Sequence, residues 1–196
     1  MTKKPLTSCA ILAGGKASRM NGILKWQLLV NGEPIIDRMA KVLSPVFTEI
    51  LFVHAGDFDD YTTQPFLPIT DIFKEKGPLG GILSALKSSK SENVFIFSCD
   101  MPFLNNQLIS LQWNEFSKTM PDALVPIIEN NIEPLHSIYS KKCIPWIEKQ
   151  LTTSTDLRIR SFFNEGNVQF WDISDLKAYH KAFTNINTWE DYQNME

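Results

Sequence analysis

The sequence predicts an α/β protein with a largely parallel sheet, and three observations predict it. Strand and helix patterns alternate through the first two-thirds of the 196 residues. The strand candidates Ser8–Ile11, Ile50–Val53 and Val94–Phe97 are short, continuous apolar runs, as expected for strands covered on both faces. Polar or glycine-bearing segments follow each of them, where ligands collect in open α/β sheets.

Taken in order, Ser8-Cys9-Ala10-Ile11 is the first buried strand and runs directly into Gly14-Gly15-Lys16-Ala17-Ser18-Arg19-Met20. Leu28-Leu29-Val30 leads into an Asn31-Gly32 turn. A helix starts near Pro34, which suits a first helical turn, with Ile35, Ile36, Met39, Val42 and Leu43 on one face. Ile50–Val53 is the second strand, and Phe58 to Ile69, with Pro65 and Pro68, is expected to be irregular. Gly77-Pro78-Leu79-Gly80-Gly81 opens a helix whose Leu79, Ile82, Leu83 and Leu86 recur at helical spacing. Val94–Phe97 is the strongest strand, with Asp100 just past its end. A helix from about Asn105 to Phe116, strands near 123–128 and 135–139 and a helix around 145–151 follow. The remainder is less regular, with an apolar run at 168–171 and a short terminal helix.

Length suits one domain over residues 1–196 with a full hydrophobic core. A net charge of −3, with no basic stripe, argues against a nucleic-acid binder. Cys9, Cys99 and Cys143 are odd in number and sit in or beside apolar runs, which fits free thiols in a reducing cytoplasm better than disulfides or metal ligation. Lys3-Lys4 before an apolar stretch does not make a signal peptide, because glycines end the run too soon. No stretch reaches membrane-spanning length. A cytoplasmic protein is expected, with no membrane partner.

The loop after the first strand is built to meet phosphate. Paired glycines let backbone N–H groups approach an anion, and Arg19 and Lys25 add a planar fork and a mobile point charge. Two common phosphate loops are excluded. The pattern G-x-x-x-x-G-K-[ST] fails twice, with Ala10 at its first glycine and Ala17 at its hydroxyl position. The pattern G-x-G-x-x-G fails because Gly14 and Gly15 are adjacent and the next glycine is Gly22.

Leu12-Ala13-Gly14-Gly15-Lys16-Ala17-Ser18-Arg19-Met20, followed by Lys25, instead resembles the opening of nucleotidyltransferases, and within them the molybdenum cofactor guanylyltransferases of the MobA type. Cousins that use CTP or activate sugars more often read L-A-A-G there. Ser98-Cys99-Asp100-Met101-Pro102-Phe103 is similar to the family's C-D-x-P-[FY] segment, whose Asp binds Mg²⁺ and nucleotide. Asp71 followed by Gly77–Gly81 is similar to the family's D-…-G-P-L-[AG]-G stretch, whose Asp contacts the nucleotide. The ending Phe183–Asp191 is similar to F-x-N-[IV]-N-T-x-E-[DE], near the pterin substrate, and Glu133-Pro134-Leu135-His136 is a fainter echo of the strand entering the same site. Thr188 and Asp191 also read as a capping box. His54 stands where relatives tend to carry Asn. Leu24 replaces an acidic residue beside the lysine, and Asn21 replaces a glycine.

The resemblance implies a three-layer α/β/α, Rossmann-like nucleotidyltransferase fold, with the nucleotide side mainly in residues 8–103 and the acceptor side mainly in 104–192. It implies transfer of GMP from GTP to the terminal phosphate of the molybdenum–pterin cofactor, with release of pyrophosphate. Arg19, Lys25 and Asp100 are the expected catalytic residues. Leu12, Ala13, Gly14, Gly15, Lys25, Asp71 and Asp100 are expected to bind nucleotide, and Asp100 to hold Mg²⁺, which commonly needs only one or two carboxylates plus substrate phosphates. Further partners would be proteins that deliver the cofactor and enzymes that accept it. Three alternatives stay open: a cytidylyltransferase of the same cofactor, a sugar-phosphate nucleotidyltransferase, or a relative that only binds nucleotide.

Overall fold

The computed structural model describes residues 8–14, 19–20, 22–54, 65–73 and 75–193. Lys3, Lys4, Gly15, Lys16, Ala17, Ser18, Asn21 and Phe58, named above, lie outside the described residues, and Arg19 is described by its backbone only. The elements in chain order are β1 (Ser8–Leu12), β2 (Arg19–Met20), β3 (Ile23–Leu24), β4 (Leu29–Val30), β5 (Glu33–Pro34), α1 (Ile35–Leu43), β6 (Glu49–His54), β7 (Phe66–Thr70), α2 (Gly77–Ser88), β8 (Asn93–Ser98), α3 (Asn106–Thr119), β9 (Ala123–Ile128), β10 (Asn131–Ile132), β11 (His136–Ser140), α4 (Ile144–Thr153), β12 (Val168–Asp172) and α5 (Trp189–Gln193).

The main sheet runs β10-β9-β11-β8-β1-β6-β7, with β12 also paired to β9. β1 lies parallel between β6 and β8, and β7 pairs parallel to β6. β11 runs antiparallel to both β8 and β9, because it returns from a tight hairpin instead of a helical crossover. That hairpin turns on Glu129 and Asn130, whose φ values of 49° and 71° suit a two-residue primed turn. Asn31 and Gly32, at φ 53° and 75°, make the same kind of turn between β4 and β5.

Alternate residues of β1 face opposite layers, which makes the molecule three layers deep. Cys9 and Ile11 pack with Ile36, Met39 and Leu43 of α1 and with Ile109 and Phe116 of α3. Ala10 and Leu12 pack with Leu79, Ile82, Leu83 and Leu86 of α2 and with Ile147 and Leu151 of α4. Strands covered on both faces explain the continuous apolar runs in the sequence.

One expectation is corrected. The segment ending at Ile69 is not wholly irregular, since Phe66–Thr70 forms β7, in register with Ile50–His54. β7 is the end strand of the sheet path, so Pro68, which has no N–H to donate, costs no ladder bond on its outer side. Proline content alone made it read as a loop. Among the described residues, no helix is long and apolar enough to cross a membrane.

Candidate active site

Five chain segments are held together past the ends of the strands. The ladder continues beyond β1, where the Ala13 amide donates to the Val53 carbonyl at 2.8 Å and the Cys99 amide to the Leu12 carbonyl at 3.2 Å. The Asp71 amide donates to the His54 carbonyl at 2.7 Å, and the Ser98 amide to the Leu135 carbonyl at 3.1 Å. Leu12, Ala13, Gly14, Asp71 and Asp100 are thereby gathered at one end of the sheet, and only Gly14 among them is exposed.

Lys25 is delivered to this place by its neighbours. It opens a short 3₁₀ turn, Lys25–Gln27. Trp26 in that turn is buried and meets Phe52 of β6 edge-on, with ring centroids 5.6 Å apart. With Trp26 anchored in one core layer, Lys25 reaches inward. Its Nζ lies 2.9 Å from Asp100 Oδ2, and both side chains are close to nine-tenths buried or more. Nζ also donates to Asn187 Oδ1 at 3.1 Å.

The C-terminal segment closes over the pair. The Ile186 amide donates to the Asp100 carbonyl at 3.1 Å, and Ile186 is fully buried. Asp191 Oδ2 accepts from the amides of Asn187 and Thr188, while the Asp191 amide donates to Thr188 Oγ1. That is the reciprocal capping box read in the sequence, with Asp in place of Glu. These backbone bonds hold the Asp191 carboxyl below the usual carboxylate range.

Asp100 carries the most telling atom. Oδ2 is engaged by Lys25, but Oδ1 is buried and has no hydrogen-bond partner among the described residues. A buried carboxylate oxygen without a partner is costly unless something binds it. A hard divalent cation, seated on this oxygen and on substrate phosphates, fits that donor set. Among the described residues no cluster of three His, Cys, Asp or Glu is placed to hold a metal by itself.

Asp71 does something more local. Its Oδ1 accepts from the Phe73 amide at 3.0 Å and from the Ser84 hydroxyl at 2.9 Å. Ser84 lies on α2, so the carboxylate ties the loop to the helix that follows. Gly77, at φ 62°, and Pro78 begin that helix. A Cβ on Gly81 would come 3.3 Å from Leu12 Cδ2, so the glycine lets α2 lie close to the end of β1.

Leu24, which stands where an acidic residue was expected, is partly buried and packs against the layer that holds α1 and α3. Its backbone pairs with that of Arg19 in the small β2–β3 ribbon. Sequence reasoning missed a brace behind Asp100. Arg38 Nε donates to the Pro102 carbonyl at 3.2 Å, and the Arg38 guanidinium and Lys181 Nζ lie over the Phe103 ring, 5.8 Å and 4.2 Å from its centroid. Burial pushes the Cys99 thiol up to about 12, so the residue beside Asp100 stays protonated and is no nucleophile.

Comparison with known proteins agrees with this geometry. Residues 9–169 match the family profile described as the MobA-like NTP transferase domain. A probable molybdenum cofactor guanylyltransferase from Methanosarcina mazei is 32% identical, covering 98% of this chain and 91% of that protein. A molybdenum cofactor guanylyltransferase from Vibrio parahaemolyticus is also 32% identical, covering 97% of this chain and 95% of that one. Among solved structures, molybdopterin-guanine dinucleotide biosynthesis protein A from Archaeoglobus fulgidus superposes with a TM-score of 0.80, at 24% identity over 97% of each chain. A 4-diphosphocytidyl-2C-methyl-D-erythritol synthase from Anaerococcus prevotii shares the fold, at a TM-score of 0.71 and 20% identity over 97% of this chain and 94% of that one. The glycine loop, the Lys25–Asp100 pair and the relatives converge, and the chain belongs to the family of MobA-like NTP transferase domains.

Proposed function

We propose that this protein transfers GMP from GTP to the terminal phosphate of the molybdenum–pterin cofactor and releases pyrophosphate. The named relatives support that chemistry. The single observation that carries it is the Lys25–Asp100 pair, with one carboxylate oxygen unpartnered among the described residues and Asn187 closed onto the lysine.

The acceptor phosphate, with a second pKa near ~6, is already largely dianionic at neutral pH. Its oxygen attacks the α-phosphorus of GTP, the bond from that phosphorus to the bridging β-oxygen breaks, and pyrophosphate leaves with the electron pair. No general base is needed, and no nucleophile–base pair is required of the protein. What remains is to align two anions and to offset their repulsion.

Each residue has a part in this. The glycine loop after Leu12 and Ala13, with its Gly14-Gly15 pair, cradles the triphosphate. Arg19 and Lys25 stabilise charge that develops on the α-phosphoryl group and the leaving pyrophosphate. Asp71 fixes the start of α2 beside the nucleotide. Asp100 would hold Mg²⁺ together with the substrate phosphates, and Mg²⁺ bound there would supply charge neutralisation. GTP and the molybdenum–pterin cofactor are the substrates, proteins that deliver or receive the cofactor are the further partners, and the cytoplasm is the compartment where such an intermediate is made.

A thermal-shift panel of GTP, CTP, ATP and UTP with Mg²⁺ tests the nucleotide. Stabilisation by GTP over the others is expected. Stabilisation by CTP but not GTP would replace the guanylyl reading with a cytidylyl one.

A further inference from the structure

Ser84 is the one polar side chain in the buried stretch of α2 from Leu79 to Leu86, where its neighbours are apolar or glycine. A helix that only had to cover the sheet would carry an apolar residue at this position, because a buried hydroxyl is costly unless it is bonded. Ser84 is 1% exposed, and its hydroxyl is fully used. It donates to Asp71 Oδ1 at 2.9 Å and accepts from the Ile72 amide at 3.1 Å. The Gly80 carbonyl also lies 3.0 Å away, but it already serves the helix's own ladder. The single hydroxyl proton therefore goes to the charged oxygen, the stronger acceptor.

Ser84 is the middle of a strip. Gly80, Ser84 and Lys87 follow one another at helical spacing on one face of α2, and all three meet the turn that carries Asp71. A Cβ on Gly80 would come 2.8 Å from the Phe73 carbonyl oxygen, so the glycine lets the turn lie against the helix. Lys87 Nζ stands over the Phe73 ring, 5.4 Å from its centroid.

The result at Asp71 is an asymmetric carboxylate. Its amide is committed to the His54 carbonyl, and Oδ1 accepts from both the Phe73 amide and the Ser84 hydroxyl. Oδ2 has no hydrogen-bond partner among the described residues, and it stays open to solvent where Asp100 Oδ1 is shut in. One oxygen is clamped by the protein and the other is presented.

We propose that Ser84 is a positioning residue for the nucleotide, setting the rotation of the Asp71 carboxylate so that Oδ2 faces bound GTP. The last torsion of an aspartate is soft, and without the hydroxyl only the Phe73 amide would hold it. A carboxylate that has to be fixed at the moment of binding costs affinity, whereas one already held by its neighbours does not. The inference rests on the place beside the nucleotide proposed above for Asp71.

The experiment is a double-mutant cycle on the full chain, with wild type, S84A, D71A and S84A/D71A titrated calorimetrically with GTP and Mg²⁺. Thermal melts establish that each variant is folded at the assay temperature. S84A should weaken GTP binding about three- to tenfold when Asp71 is present, the effect of losing one hydrogen bond to a charged group, and have no effect once Asp71 is Ala. S84C, a poorer donor of similar size, should fall between S84A and wild type, and this comparison needs no variant at Asp71. Equal weakening in both backgrounds would make Ser84 a packing residue and overturn the inference, as would unchanged binding in S84A. D71A that binds GTP as wild type does would overturn it too, by removing Asp71 from the nucleotide site. The titration needs no acceptor. Absence of GMP transfer, with the cycle as expected, would refute the proposed function and still support the role of Ser84.

Discussion

Lys25 Nζ and Asp100 Oδ2 lie 2.9 Å apart although 75 residues separate them in sequence, and both side chains are buried. Such a pair is weak evidence for stability, because removing two charges from water costs about as much as their attraction returns. Its value lies in orientation. Lys25 fixes one oxygen of Asp100 and leaves the other unpartnered among the described residues.

Replacing Asp100 should therefore uncouple activity from folding. D100N keeps the shape but loses the charge, and GMP transfer should fall by about 10²–10³-fold, the usual cost of removing one electrostatic stabiliser. Melting temperature should fall by less than in K25A, which strands a buried carboxylate at a cost of roughly 3–5 kcal/mol. Activity assays and calorimetry on the two variants check this.

His136 predicts how stability depends on acidity. The ring is fully buried between Phe97 and Phe183, and desolvation lowers its pKa to about 4 from an ordinary 6.5. Between those values the unfolded chain binds more protons than the folded one, so stability is complete above 6.5 and falls as pH drops toward 4. At about 1.4 kcal/mol per unit, this residue contributes at most about 3.5 kcal/mol to that fall. Urea unfolding at pH 7 and 4.5 should show the slope in wild type and a smaller one in H136F.

The two glycines of α2 predict a contrast. A Cβ on Gly80 would meet the Phe73 carbonyl oxygen at 2.8 Å, and backbone yields poorly. On Gly81 it would meet the end of the Leu12 side chain at 3.3 Å, which can give by a few tenths of an ångström. G80A should destabilise by about 1–3 kcal/mol and G81A by less. G81A should instead weaken GTP binding, since Leu12 leads into the glycine loop. Melting curves and GTP titration separate the two effects.

Leu24 gives the fourth prediction. Because it packs against the core, L24D exchanges apolar contact for a carboxylate. The variant should lose about 1 kcal/mol of stability, a fraction of the cost for a fully buried leucine, without gaining activity. Gain of activity on an inactive wild type would favour the reading that this chain only binds nucleotide.

Much of this was legible in the sequence because it is local. The runs of β1, β6 and β8, the helix opened by Gly77-Pro78 and the Thr188–Asp191 box each declare themselves within a few residues. What was hidden depends on distance or on surroundings. Asn187 meets Lys25 across 162 positions, and no spacing announces it. β7 hid behind Pro68, whose effect depends on lying at the sheet edge. Leu24 read as a defect in a loop, and its packing supplies the reason for an apolar residue there.

The most direct test is pyrophosphate release by the purified protein supplied with GTP, Mg²⁺ and the molybdenum–pterin cofactor. The account predicts release that requires all three and is lost in D100N. Release with CTP in place of GTP, or none with any nucleotide, would contradict it.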